Sequence, residues 1–290
     1  MTAMPIASKI LTGKKIGYTA LPSADPVGIA KKIKSEAAHF DVQVASELYW
    51  RGSQADYKLS ADFGPLRLPF PSVWMEWSVP PEVDIRGKTV AMDPIRVGML
   101  LGEAREHNHY LIAGVRLAAG RDPLSIPQVS TITLRFRVDE NGRYLPAQNG
   151  VGILFNEDGL DANSAREWHT GDMCHLYVAC LALNLINCKN VTTEVAGEVK
   201  VRRSGAQKRR KEPRIEYRTI KLPGSPSGGE ATGENQGIMP HHRVRGHFKT
   251  FTREQPLLGK HTGTYWWGWQ VRGKKENGEI ISDYELRDAG

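Results

Sequence analysis

The chain has 290 residues, 40% hydrophobic and 24% charged, with a formal net charge of +7. That length suffices for one large domain or two modest ones with a sizeable core. No apolar run approaches the roughly 18 residues of a membrane span, and the opening MTAMPIASKILTGKKIGYTA lacks the apolar stretch of a secretory signal. A cytoplasmic protein without membrane attachment is expected. Cys174, Cys180 and Cys188 share one apolar stretch at no metal-like spacing, as reduced thiols would. The NVT at Asn190 is then a chance sequon.

In chain order, Asp25 and Pro26 form a cap and first-turn pair, and Val27, Ile29, Ala30, Ile33, Ala37 and Phe40 recur at helical spacing. A helix is expected over residues 25–40, with VQVASELYW continuing into a second. SVWMEWSV, between proline turns, reads as a short strand. RVGMLLGEA, HYLIAGVRL, STITLRFRVDENG and YLPAQNGVGILFNEDG follow as further strands, the DENG and NEDG runs supplying turns. The stretch from about Asp172 to Cys188 is too long and too apolar for a strand and predicts a buried helix. VTTEVA returns to the sheet.

Residues 200–235 differ in kind. KVRRSGAQKRRKEPR is a cationic block containing Arg209 and Arg210, IEYRTIKL an amphipathic strand, and PGSPSGGEATGENQG a loop without packing residues, expected to be mobile. The fold class this predicts is α+β: a mostly antiparallel sheet with N-terminal helices, one central buried helix and a C-terminal β-hairpin. The expected divisions are an N-terminal helical region (1–60), an α+β core (61–199), the basic segment and loop (200–240), and a basic, aromatic hairpin packed on the core (241–290).

Charge is unevenly spread. Residues 198–275 hold 18 Arg/Lys against 6 Asp/Glu, leaving 21 and 26 of the chain's 39 and 32 for the remainder. A basic third on a mildly acidic body is the pattern of a surface that faces a polyanion. Within it, strand alternation gives HRVRGHFKTF one face of Arg243, Arg245, His247 and Lys249 and another of His242, Val244, Gly246, Phe248 and Thr250. After a loop, Tyr265, Trp267, Trp269 and Val271 share one face, and Thr264, Trp266, Gln270 and Arg272 the other. The expected hairpin buries Tyr265, Trp267 and Trp269. Its other face presents cations ~6.6 Å apart, a spacing suited to a phosphate backbone, with Trp266 available for base stacking. Gly246 and Gly268 would admit close backbone approach. The candidate nucleic-acid-binding residues are thus Arg243, Arg245, His247, Lys249, Trp266, Arg272, Arg209 and Arg210.

Other chemistry is poorly supported. GKT at Gly87–Thr89 lacks the upstream glycine of a phosphate-binding loop, with Glu82 in its place, and GxGxxG, GxSxG and HExxH are absent. His241/His242 and Cys174/His175 are sequence neighbours whose side chains diverge, so no metal or cofactor is expected. Glu167, His169 and Asp172 suit capping and turn roles better than a polar site. A metal-independent ribonuclease would use His242 or His247 as acid or base beside the cations and Tyr265. A DNA-binding protein of replication or transcription is a second alternative, without a recognisable helix-turn-helix or zinc finger.

RVRGHFKTF followed by YWWGWQVRG resembles the C-terminal signature of a family of phage and mobile-element proteins whose best understood members are type V-A anti-CRISPR proteins. LPFPSVWMEW and ALNLINCKNV resemble further segments of those proteins and their phage relatives. The resemblance implies a non-enzymatic regulator that recognises a nascent peptide of its target and causes loss of the cognate mRNA. The sheet and N-terminal region would then hold the peptide, while Arg243, Arg245, Gly246 and His247 would face RNA or ribosome.

Overall fold

In the computed structural model, residues 4–11, 17–18, 25–51, 64–80, 82–85, 88–91, 95–106, 109–120, 128–145, 154–155, 162–200, 214–223, 240–244, 246–268, 270–272 and 274–280 are described. The helices are α1 (Pro5–Leu11), α2 (Pro26–Ser35), α3 (Gln43–Arg51) and α4 (Ala162–Ile186). Strands in the first half are β1 (Gly17–Tyr18), β2 (Ala38–Asp41), β3 (Ser72–Ser78), β4 (Glu82–Ile85), β5 (Lys88–Ala91), β6 (Ile95–Glu106), β7 (His109–Gly120) and β8 (Gln128–Val138). Then come β9 (Tyr144–Leu145), β10 (Leu154–Phe155), β11 (Thr192–Lys200) and β12 (Arg214–Lys221). The last are β13 (Pro240–Val244), β14 (His247–Phe251), β15 (Gly263–Trp267), β16 (Gln270–Arg272) and β17 (Lys274–Ile280).

Asp25 caps α2 as its sequence predicts, its carboxylate accepting the Val27 N–H, with Pro26 at the first helical position. The helix stops at Ser35, however, and Ala38–Asp41 is a strand, so the expected helix to residue 40 is five residues too long. Tertiary pairing outweighs local spacing here. β2 lies between β3 and β12, parallel to both, and Phe40 is buried at its centre.

The main sheet runs β1-β8-β7-β6-β3-β2-β12-β11, with β9 and β10 added on β8. It is mixed: β1 with β8, β2 with β3 and β2 with β12 are parallel, and the remaining pairs are antiparallel. The expectation of a mostly antiparallel sheet around a central helix is therefore overturned. The parallel pairs join segments far apart in sequence, such as His39 and Tyr217, which no local pattern reveals. β2, from the first sixty residues, and β12, after the basic block, lie in the same sheet as the strands from the middle of the chain.

Helices pack on both faces around β3. In β3, Val73, Met75 and Trp77 point to a core shared with α3 and α4, while Trp74 points to a second core shared with α1 and α2. SVWMEWSV alternates weakly because both of its faces are buried. The predicted 172–188 helix forms the last part of α4 and is buried as expected, without a break from Val178 to Leu185, but it packs on one face of a mixed sheet instead of standing at the centre of an antiparallel one.

One carboxylate is fully enclosed. Glu76 accepts the Ile6 and Ala7 N–H groups at 2.8 and 3.0 Å and Trp74 Nε1 at 3.2 Å, and the Arg96 guanidinium stands 3.6 Å away. It satisfies the first turn of α1 and ties that helix to the sheet. Burial pushes its carboxyl up to about 7, against the pull of Arg96 and these donors. Asp41, paired with Glu76 across the parallel strands, is also raised by burial.

Candidate nucleic-acid interface

The C-terminal ribbon forms as an antiparallel pair with one register on both sides of residues 245–246. His242 lies opposite Arg272 and Val244 opposite Gln270; His247 lies opposite Trp267, Lys249 opposite Tyr265 and Phe251 opposite Gly263. The paired numbers keep a constant sum, so odd residues meet odd residues and even meet even. Cross-strand partners share a face. Its two faces are consequently composed differently from the arrangement the sequence predicts.

The even face is the inner one. Trp266 is 3% exposed, belongs to the main core, and packs on Phe248 with ring centroids 4.7 Å apart. Trp266 is thus a core residue and not a stacking platform. Gly246 serves this packing as well: a Cβ there would lie 2.6 Å from Trp266 Cζ2 and 3.2 Å from the Trp267 carbonyl oxygen. Its missing side chain accommodates an indole of the ribbon itself, not a ligand. Thr250 and Thr264 complete the face through a 2.9 Å hydroxyl–hydroxyl hydrogen bond.

The odd face looks outward and carries aromatics and cations together. His247 and Lys249 are exposed, and Phe251, Tyr265 and Trp267 are half-buried. Phe251 meets Tyr265 and Trp267 edge-on, at centroid distances of 5.8 and 6.3 Å, and Lys249 Nζ sits 5.1 Å from the Phe251 ring centre. The expectation that Tyr265 and Trp267 are core is overturned for both. Lys189, exposed on the turn after α4, lays its side chain beside Gly263, where an added Cβ would meet its Cγ at 3.1 Å and Cε at 3.2 Å. A second lysine thereby borders this face, and nothing in its own segment hints at it.

Three contacts fasten β15 to the turn after α4. Lys189 N–H donates to the Thr264 carbonyl at 2.9 Å, and the Asn190 side chain bonds both the N–H and the carbonyl of Trp266. The Asn190 amide is thus committed inside the fold, which agrees with the sequon being incidental.

The remaining predicted residues are distributed as follows. Arg243 lies opposite Val271 at an odd position, the parity of His247 and Lys249; His242 and Arg272 face each other at even positions. The side chains of these three, and the whole of Arg245, Arg209, Arg210 and Trp269, lie outside the described residues. Glu167, His169 and Asp172 fall on α4 with side chains likewise outside them.

Elsewhere, titratable groups come together only in structural settings among the described residues. His175 on α4 packs against Trp77, ring centroids 6.1 Å apart, and burial together with the Arg116 charge lowers its pKa to about 3. It is a neutral core histidine. Burial pushes the Cys188 thiol up to about 12 and raises Cys180 further, so neither is a nucleophile near neutral pH. No group of three or more His, Cys, Asp or Glu is placed to hold a metal among the described residues, and no described helix is long and apolar enough to cross a membrane. Comparison with family models, curated proteins and solved structures gives no match to the chain.

Proposed function

We propose that the outward face of the ribbon binds single-stranded RNA and that the protein is a non-enzymatic, RNA- or ribosome-associated regulator. Tyr265 and Trp267 offer ring surface to unpaired bases, while Lys249, Lys189 and His247 lie where a phosphate backbone alongside those bases would run. Stacking on aromatics combined with cationic tracking is how sequence-tolerant single-strand binders work. The carrying observation is the pairing of Lys249 with Tyr265 and of His247 with Trp267, which puts a cationic or titratable group across from an aromatic ring at each rung. The excess of Arg/Lys in residues 198–275 supports the same reading.

On the resemblance to phage and mobile-element regulators, the protein would also select a partner, such as a nascent peptide of a host defence protein, and lower its expression. Helices pack on both faces of the main sheet around β3. A peptide would therefore engage a sheet edge, the helical layers or the strands beyond them.

The test is anisotropy titration of an unstructured, fluorescently labelled RNA at several salt concentrations, for the wild type and Lys249→Glu. Binding that weakens steeply with salt is expected, and the variant should lose about 0.7 of the log–log slope for each phosphate contact removed. An identical slope in the variant would count against the reading. Recovery of shortened RNA in chelator would instead favour the ribonuclease alternative, and stronger binding to duplex DNA the DNA-binding one.

A further inference from the structure

The loop between β14 and β15 is ordered by its own backbone. Leu257 and His261 form a β-bridge, Lys260 N–H donates to the Leu257 carbonyl at 3.1 Å, and Gly259 N–H donates to that of Pro256 at 3.3 Å. At the tip, Leu258 and Gly259 both have positive φ, 52° and 70°. Two such residues in succession are the signature of a type I′ turn, whose first central position favours Asn, Asp or Gly. Leu258 is the one non-glycine residue with positive φ among the described residues, and it is 83% exposed, more than any other large hydrophobic described.

An exposed leucine alone is ordinary. A leucine that is both exposed and held in the left-handed region is not, because neither its solvation nor the turn favours that side chain there. The loop around it carries exposed Arg253, Lys260 and His261, with Glu254 the acidic member, while Pro256 and Leu257 just before it are half-buried. The loop follows directly on the rung Phe251–Gly263, the next rung of the outward face after Lys249–Tyr265.

We infer that Leu258 is an apolar wedge that inserts beside a base at the junction between paired and unpaired RNA, with Arg253, Lys260 and His261 holding the flanking phosphates. The inference rests on the RNA-binding reading of the ribbon and narrows its substrate to structured RNA presenting a single strand next to a stem. Leucines inserted between base steps are a known way to open a stack in duplex DNA, and the cationic collar suits a phosphate-rich partner better than an apolar protein pocket.

The experiment uses the full chain, wild type and Leu258→Asn. Two RNAs are compared: an unstructured oligouridylate, and a stem–loop with 2-aminopurine replacing the base that closes the stem. Asparagine adopts positive φ readily, so the variant should melt at or above the wild-type temperature. The wild type should brighten the 2-aminopurine on binding. Leu258→Asn should lose that signal and bind the stem–loop about tenfold more weakly, the loss of part of one leucine's apolar burial, while binding oligouridylate as before. A variant that keeps both the signal and the stem–loop affinity overturns the wedge and leaves the ribbon reading standing. A wild type that binds neither RNA overturns both.

Discussion

Asn190 and Trp266 exchange two hydrogen bonds: Trp266 N–H donates to Asn190 Oδ1 at 2.9 Å, and Asn190 Nδ2 donates to the Trp266 carbonyl at 2.8 Å. One side chain does for the edge of β15 what a neighbouring strand would do. It also fixes the tryptophan that anchors the ribbon in the core, and so sets which ribbon face looks outward. Asn190→Ala leaves both backbone groups without this partner and should cost about 1–3 kcal/mol in urea unfolding. Asn190→Asp should fare no better, because its carboxylate faces the Trp266 carbonyl oxygen without a proton to donate.

Gly246 and Gly268 should respond differently to alanine. At Gly246 the new methyl would press on Trp266 Cζ2 and Cη2 at 2.6 and 2.7 Å, and on the Trp267 carbonyl oxygen behind them. Overpacking against a buried indole should cost about 1–3 kcal/mol. At Gly268 the nearest atom, Trp266 Nε1, is 3.9 Å away, an ordinary contact. Gly268→Ala should melt within a degree or two of wild type in a thermal scan, a small fraction of the ~2–8 °C that 1 kcal/mol moves a domain.

Stability against pH should show two opposing contributions. The Glu76 carboxyl, at about 7 in the fold against an ordinary 4.5, holds its proton more tightly when folded, so its contribution falls as pH rises from 4.5 to 7. His175, at about 3 against 6.5, holds its proton less tightly when folded, so its contribution falls as pH drops from 6.5 to 3. Asp41 acts in the sense of Glu76, and His39, also lowered by burial, in the sense of His175. In Glu76→Gln, stability should therefore decline more steeply on acidification below pH 6.5. In His175→Phe it should instead rise between pH 7 and 4.5, each change amounting to about 1–3 kcal/mol. Urea midpoints across this range check the slopes; profiles parallel to wild type would contradict the assignment.

Local patterns carried much of the secondary structure. The cap at Asp25, the β3, β6, β7 and β8 strands and the last part of α4 follow from spacing and turn residues. The sheet's mixed character was not legible, because β2 gains its identity from partners at Val73 and Tyr217 rather than from AHFD itself. The ribbon shows the same limit on a smaller scale. Alternation sorts each strand into two faces, but only the cross-strand register says which faces join, and a one-residue slip exchanges them. With Lys249 opposite Tyr265, the cations share a face with Tyr265 and Trp267, and Trp266 goes inside. Lys189 was invisible because its place beside Gly263 depends on how α4 ends against the ribbon.

The most direct measurement is the affinity of unstructured RNA for Trp267→Ala, taken beside its melting temperature. With Trp267 on the outward face, the variant should melt close to wild type yet bind roughly tenfold or more weakly, the loss of one base stacked on an aromatic ring. Unchanged affinity in a folded Trp267→Ala protein would contradict the claim that this face receives nucleic acid.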